Sequence, residues 1–349
     1  MGAIEGLHRL TADEAIALTA DALIGYGSPP SGARLQAAHL VEAELRGHPS
    51  HGLRRLSVLL ARIHAGLIDT QTEPTFDWTG SGALRVDGCR GLGPVVAYAT
   101  IDEMLSKIAP SGVVVGALRG THHLGMLAPY VERIAQRGYI GIVISSTEGL
   151  VHPWGGSGAL VGTNPLAIGV PADGDCVTLD MSTASVSAGK ILDHLERGMS
   201  LPEGWAVDAA GRPTQDPGEA IVGAISPFGG AKGYALGLAL GAVVGVLTGT
   251  EFGPGVVGTL DSQHETTKGD VIIAVDIEAF GQNSRSRALS QYLQDVRESG
   301  IDGGSVSIPG DRSRAHRARS LEEGFDVTDE VWQLLMAIRD TADVSGTRL

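Results

Sequence analysis

The stretch VVVGALRGTHHLGMLAPYVERIAQRGYIGIVIS, residues 113–145, decides the fold class. It opens on the apolar run Val113–Leu118, turns through Gly120-Thr121-His122-His123-Leu124-Gly125, takes helical spacing from Met126 to Arg137, and ends in a second apolar run, Ile140–Ser145. Neither run alternates polar with apolar residues, so both faces of each strand are expected to be covered. Strand, helix and strand in succession predict an α/β protein built on a central, largely buried sheet.

Upstream, helical spacing predicts a helix over Val95–Ile108, and Ala83–Val86 is a short strand candidate. Thr11, with Glu14 three residues on, is a capping signal. Helices are expected from there to Leu45, broken at Gly27–Pro30, and again over Ser57–Gly66. Downstream come a strand-rich part from Leu166 to Met181, a helix over Ser187–Glu196, a Pro- and Gly-rich loop from Leu201 to Glu219, and a strand over Val271–Ile277. The apolar run Tyr234–Leu247 is shorter than the ~20 residues of a membrane span. With Gly237, Gly241 and Gly245 at every fourth position, it predicts a buried core helix. From Ser284 to Leu349 the chain returns to charged helical periodicity, interrupted at Ile308-Pro309-Gly310, and is expected to pack back on the first helices.

A chain of 349 residues, 43% hydrophobic and 19% charged, can bury a large core. Its formal net charge of -14 repels phosphate backbones and anionic membranes, which argues against nucleic acid and membrane partners. A small anionic substrate then needs local cations. The 50 glycines and 4% aromatic content imply many tight turns and an aliphatic core. Cys89 and Cys176 lack zinc-site or disulfide spacing and are expected to be buried thiols in a reducing compartment. Met1 to Leu10 lacks a basic stretch followed by an apolar run, so a cytoplasmic protein is expected.

The usual nucleotide signatures are missing. Gly91-Leu92-Gly93 continues to Val96 where the dinucleotide fingerprint needs a third glycine, and Gly189-Lys190 is followed by Ile191 without the upstream glycine of a phosphate loop. Three polar clusters remain. Arg46 to Arg55 gathers serine, imidazole and guanidinium groups suited to a carboxylate, or forms an exposed basic helix start. His122 and His123 follow a strand, where α/β enzymes place reacting groups, or are a structural pair. Gly229 to Gly233, with Lys232, precedes a helix and could hold an anion on free backbone N–H groups, or merely pack. No carboxylate spacing accompanies the histidines, so no metal is assigned.

In order along the chain, the clusters resemble the malate/L-lactate dehydrogenase family, which also holds ureidoglycolate and sulfolactate dehydrogenases, diketogulonate reductase and cyclic-imine carboxylate reductases. The resemblance runs through Leu45-Arg46-Gly47, Ser50-His51-Gly52, His122-His123, Gly162-Thr163-Asn164-Pro165, Leu179 to Thr183 and Gly189-Lys190. It continues through Leu201 to Trp205, Pro213-Thr214, Gly229 to Tyr234 and Pro309-Gly310-Asp311-Arg312.

That resemblance implies a non-Rossmann nicotinamide-binding α/β domain over 71–283, with a helical lobe formed by 1–70 and 284–349. It implies a homodimer and hydride transfer between a small 2-oxo acid and its 2-hydroxy counterpart. His123 is implied as the acid/base and His51 as the rival. Ser50, His51, Arg55 and Thr147 are implied substrate contacts; Asp180, Met181, Ser182, Lys232, Gly233, Gly310, Asp311 and Arg312 are implied contacts of NAD or NADP. Ala188, where some members carry Arg, removes a partner for a 2'-phosphate and favours NAD. Pro49, Thr266-Thr267 and Asp311 depart from the usual residues, which puts the substrate in question more than the reaction. A cyclic-imine carboxylate reductase and a catalytically silent nucleotide-binding relative are the alternatives.

Overall fold

The capping signal at Thr11 is realised: its hydroxyl accepts from the Glu14 N–H while the Glu14 carboxylate accepts from the Thr11 N–H. Strand β1 (Leu7–Leu10) precedes that cap, α1 (Ala12–Gly25) follows it, and α2 (Pro30–Leu45) starts on a proline whose missing N–H costs nothing there. Two 3-10 turns, Pro49–His51 and Leu53–Arg55, lead into α3 (Leu56–His64). Then come β2 (Thr75–Gly80), β3 (Ala83–Asp87), α4 (Gly93–Ser106), β4 (Val113–Arg119), α5 (Ala128–Ala135) and β5 (Tyr139–Ser145). The short strands β6 (Gly149–Val151) and β7 (Val161–Gly162) precede β8 (Leu166–Val170), β9 (Val177–Met181) and α6 (Ala188–Glu196).

The stretch 201–219, expected as a loop, holds β10 (Ala206–Val207), β11 (Pro213–Thr214) and the start of α7 (Pro217–Val222). Two-residue strands are too short to show a period, so the pattern could not reveal them. After β12 (Ala224–Ile225) come α8 (Ala231–Thr248), β13 (Asp270–Asp276), α9 (Arg285–Glu298), α10 (Asp311–Glu323), β14 (Phe325–Thr328) and α11 (Asp329–Val344). This computed structural model describes residues 6–282 and 285–344. The first five residues of the N-terminal stretch, Ser284 at the head of the tail, and the final five residues lie outside them.

The main sheet has seven strands in the order β2-β3-β4-β13-β5-β8-β9. Only β3 and β4 are parallel. β13 lies between β4 and β5 and runs antiparallel to both, with Val271 opposite Ala117 on one side and Ile144 on the other. β4 and β5 therefore point the same way, and their carboxyl ends share one edge with the start of β13. The loops 120–127, 146–148 and 268–270 all leave from that edge.

Helices α4 and α5 cover one face around Leu84, Ile101, Met104, Leu118, Tyr130 and Ile134. Full burial of each Leu or Ile contributes roughly 1.5–3 kcal/mol. A second core joins Leu23, Leu40, Leu53 and Leu56 to Phe325, Val327 and Leu335, and β1 pairs antiparallel with β14, so the first and last segments share one interior. α9 instead meets the β8–β9 turn, where the Ser290 hydroxyl bonds the Asp173 backbone. A smaller sheet, β11-β10-β12-β6-β7, lies beside the main one.

Two expectations need correction. α8 is no core helix: Gly237, Leu240, Val244 and Thr248 are buried, but Leu238, Val243, Val246 and Leu247 are exposed, and only 33% of the helix is covered. Its composition is apolar on every side, which is why the sequence could not separate the two faces. Cys89 and Cys176 are half-buried and free rather than fully buried; Cys89 sits in a turn at φ +50°, its thiol donating to the Asp87 carbonyl.

Candidate active site

The shared sheet edge delivers the histidine loop, and α4 holds it from behind. An added Cβ at Gly93 would overlap the carbonyl oxygen of His123, so the glycine that fails as a dinucleotide fingerprint allows the helix start to approach the loop backbone. From the other side comes the 46–55 turn. Gly52 presses on the Glu44 carboxyl, which accepts the Leu53 N–H at 2.7 Å and whose pKa burial pushes up to about 7.

The two histidines of the loop have different surroundings. His122 Nε2 lies 2.8 Å from the Leu67 carbonyl, so that nitrogen carries the proton, and Nδ1 is left to accept from the Arg62 guanidinium at 3.4 Å. Burial and Arg62 push its pKa down to about 3, and it stays neutral. His123 has no hydrogen-bonding partner on either ring nitrogen among the described residues. Its ring stacks on His51 with centroids 5.7 Å apart and planes 20° from parallel. Burial, then Arg55 and His51, hold the His123 pKa well below the usual 6.5.

His51 Nδ1 bonds the Ser50 hydroxyl at 3.1 Å, and burial with Arg55 nearby brings its pKa down to about 4. Arg55 Nε donates to the Ser50 carbonyl at 2.8 Å, which leaves the end of its fork free. The structure therefore brings Ser50, His51, Arg55 and His123 together.

Arg55, His122 and His123 line a small cavity together with Arg62 and Thr259, over an apolar wall of Leu40, Leu59 and Ile68. Arg62 was not singled out by sequence. The available signal was its spacing, seven residues after Arg55 and so on the same helical face. Glu148, also missed, accepts from the Thr259 N–H at 2.8 Å, the Thr259 hydroxyl at 3.0 Å and the Leu260 N–H at 3.0 Å, which pins the 258–264 loop beside the cavity. Thr147 lies next to it, but its hydroxyl accepts the Thr163 N–H at 2.8 Å and its own N–H donates to the Asn164 side chain at 3.1 Å.

The implied cofactor contacts sit on two helix starts and one strand end. The Asp180 carboxylate accepts the N–H groups of Leu127 and Ala128 at 2.9 and 2.7 Å, joining the end of β9 to the histidine loop and the start of α5. Burial pushes its pKa up to about 6 against those two donors. Met181 closes β9, paired with Leu166, and the Ser182 hydroxyl caps the Ala184 N–H at 3.1 Å. α8 begins at Gly229 and Gly230, with φ of +56° and +64°, followed by exposed Lys232 and by Gly233, whose Cβ would strike Phe228. The first N–H groups of that helix have no acceptor within it and no side chain caps them, a setting that fits a pyrophosphate. α10 begins at Gly310, φ +99°, with Arg312 exposed; Asp311 is bound by Arg297 at 2.9 Å and Arg314 at 2.8 Å. At the start of α6, Gly189 approaches Ser50 closely, its Cβ position 3.2 Å from that side chain.

The comparisons with known proteins agree with one another. The chain is 34% identical over 339 residues to the malate/(S)-sulfolactate dehydrogenase of Methanothermus fervidus, covering 97% of this chain and 99% of that one. It is 32% identical over 303 residues to the ureidoglycolate dehydrogenase (NAD(+)) of Escherichia coli K12, covering 85% and 86%. The crystal structure of a dehydrogenase from Sinorhizobium meliloti superposes with a TM-score of 0.92 at 45% identity, over 96% of this chain and 98% of that one. The profile described as malate/L-lactate dehydrogenase matches residues 10–336, and the chain belongs to that family.

Proposed function

We propose that this protein interconverts a small 2-oxo acid and its 2-hydroxy counterpart with a nicotinamide cofactor, NAD before NADP, and that His123 is the acid/base. The observation that carries the proposal is the difference between the paired histidines. His122 is spent on Leu67 and Arg62, whereas His123 keeps both ring nitrogens free in a cavity that also holds Arg55.

The nicotinamide, when bound, accepts or supplies the hydride. In the oxidation direction neutral His123 takes the hydroxyl proton; in reduction its imidazolium returns a proton to the carbonyl oxygen. Arg55, with Ser50 and His51, grips the substrate carboxylate, using the free end of its fork while its Nε donates to the Ser50 carbonyl. Gly229 to Gly233 with Lys232 and the start of α10 hold the cofactor phosphates on a mixed sheet, in place of a glycine fingerprint on a parallel one. The exposed apolar side of α8 supports a homodimer.

The test compares His123→Asn with His51→Asn on a panel of 2-oxo acids and cyclic imine carboxylates with NADH and NADPH. His123→Asn should lower kcat by ~10²- to 10⁴-fold while cofactor binding, followed by fluorescence, changes little. A His123 variant with near-normal kcat beside a dead His51 variant would transfer the role to His51. Wild-type protein that binds the cofactor yet turns over nothing in the panel would be a silent relative.

A further inference from the structure

Two charged side chains, Arg62 in the cavity lining and Glu148 near it, grip the same loop. Residues 258–264 reach the cavity through Gly258 and Thr259. Gly258, at φ +82°, lies against the Glu265 carbonyl, so the loop closes on itself. Within it the Asp261 carboxylate accepts the Gln263 and His264 N–H groups at 2.7 and 2.9 Å, a local turn. Glu148 takes the N–H groups of Thr259 and Leu260, while the Arg62 guanidinium donates to the carbonyls of Asp261 and His264. An anion on its amides and a cation on its carbonyls thus hold the loop at the cavity.

Arg62 has a second attachment, to the histidine loop. Its own carbonyl accepts the Leu67 N–H at 3.0 Å, and the Leu67 carbonyl accepts from His122 Nε2 at 2.8 Å. His122 Nδ1 then accepts from the Arg62 guanidinium at 3.4 Å, which closes a ring of hydrogen bonds. His122 stays neutral, so Nδ1 remains an acceptor. Arg62 is only 3% exposed and its Nε–H has no acceptor, a costly arrangement that the fold bears with the fork turned toward the loop and His122. With no partner on its own ring nitrogens among the described residues, His123 takes its direction from the His51 stack and from the backbone it shares with His122. We propose that Arg62 is a positioning residue for the acid/base: one guanidinium fixes His123 through His122 and fixes the 258–264 loop as well, whereas Glu148 fixes the loop alone. This rests on the function proposed above.

The experiment follows wild-type protein, Arg62→Met, Glu148→Ala, His122→Gln and the Arg62→Met/His122→Gln double variant. It measures kcat for the 2-oxo acid that wild-type protein reduces fastest, NADH affinity by fluorescence, and hydrogen exchange over the loop. His122→Gln keeps a donor for Leu67 near the place of Nε2 and removes the Nδ1 acceptor. Arg62→Met and Glu148→Ala should both speed exchange in the loop. Arg62→Met and His122→Gln should lower kcat by ~10- to 10²-fold with NADH affinity little changed, while Glu148→Ala keeps kcat within a few-fold. The double variant should lose little more than Arg62→Met alone, because both substitutions cut one connection. If Arg62→Met does not fold, Arg62→Lys, with one nitrogen for three acceptors, should show the same loss at reduced size. Equal kcat losses in Arg62→Met and Glu148→Ala would show that Arg62 acts through the loop alone and overturn the proposal, as would multiplied losses in the double variant. Absence of turnover by wild-type protein removes the function proposed above and this role with it, whereas a failure confined to the variants leaves that function intact.

Discussion

His123 is held below its usual pKa by burial first and by Arg55 and His51 second, so it is neutral at pH 7 and ready to act as a base. The kcat/KM of hydroxy-acid oxidation should therefore be flat from pH 8 through 6.5 and fall only at more acidic pH, as His123 takes up a proton. Reduction needs the imidazolium and should run the other way, weakening as pH rises. Pre-steady-state and steady-state pH profiles check this, and an oxidation limb at or above 6.5 would contradict it. Because a bound carboxylate offsets the charge of Arg55, the limb in kcat should lie above that in kcat/KM. Arg55→Lys should chiefly raise the substrate KM, since an ammonium cannot reproduce the planar two-donor fork. Ser50, His51 and His123 were visible in the sequence because their neighbours form dense polar clusters. Arg62 was not, because a single Arg in an amphipathic helix looks like any solvated residue until the fold closes a cavity over it.

At the level of elements, α4 and α5 act as the supports of the histidine loop. Gly93→Ala puts a methyl group against the His123 carbonyl, a backbone atom that cannot swing aside as a side chain would. It should cut kcat far more than it lowers Tm, and equal activity would show that α4 does not set the loop. Asp180→Ala leaves two N–H groups at the start of α5 without their acceptor, and urea unfolding should register a loss of about 1–3 kcal/mol. No change in the urea midpoint would show that the carboxylate has no structural part. The strands β4 and β5 and the helix between them were legible because six-residue apolar runs and an amphipathic turn leave distinct patterns. The insertion of β13 between β4 and β5 was not, since nothing local in 270–276 names its neighbours.

Across the whole molecule, α8 presents Leu238 at 49%, Val246 at 74% and Leu247 at 50% exposure, with Phe252 beyond its end. Val246→Asp should convert a species of twice the chain mass into one of a single chain in sedimentation equilibrium; a monomeric wild-type protein would remove the dimer proposal. The pairing of β1 with β14 has a different bearing, on how the protein is made. His8 and Asp329 touch across 321 positions of sequence. As the ribosome works, α1 and α2 emerge long before the strand and helix that close their interior. Their greasy sides stay open until those arrive, a standing invitation to chaperones. The turn that carries Ser50, His51 and Arg55 is packed on those same helices. A nascent chain stalled before Phe325 can thus own a finished sheet while its substrate pocket is still unformed.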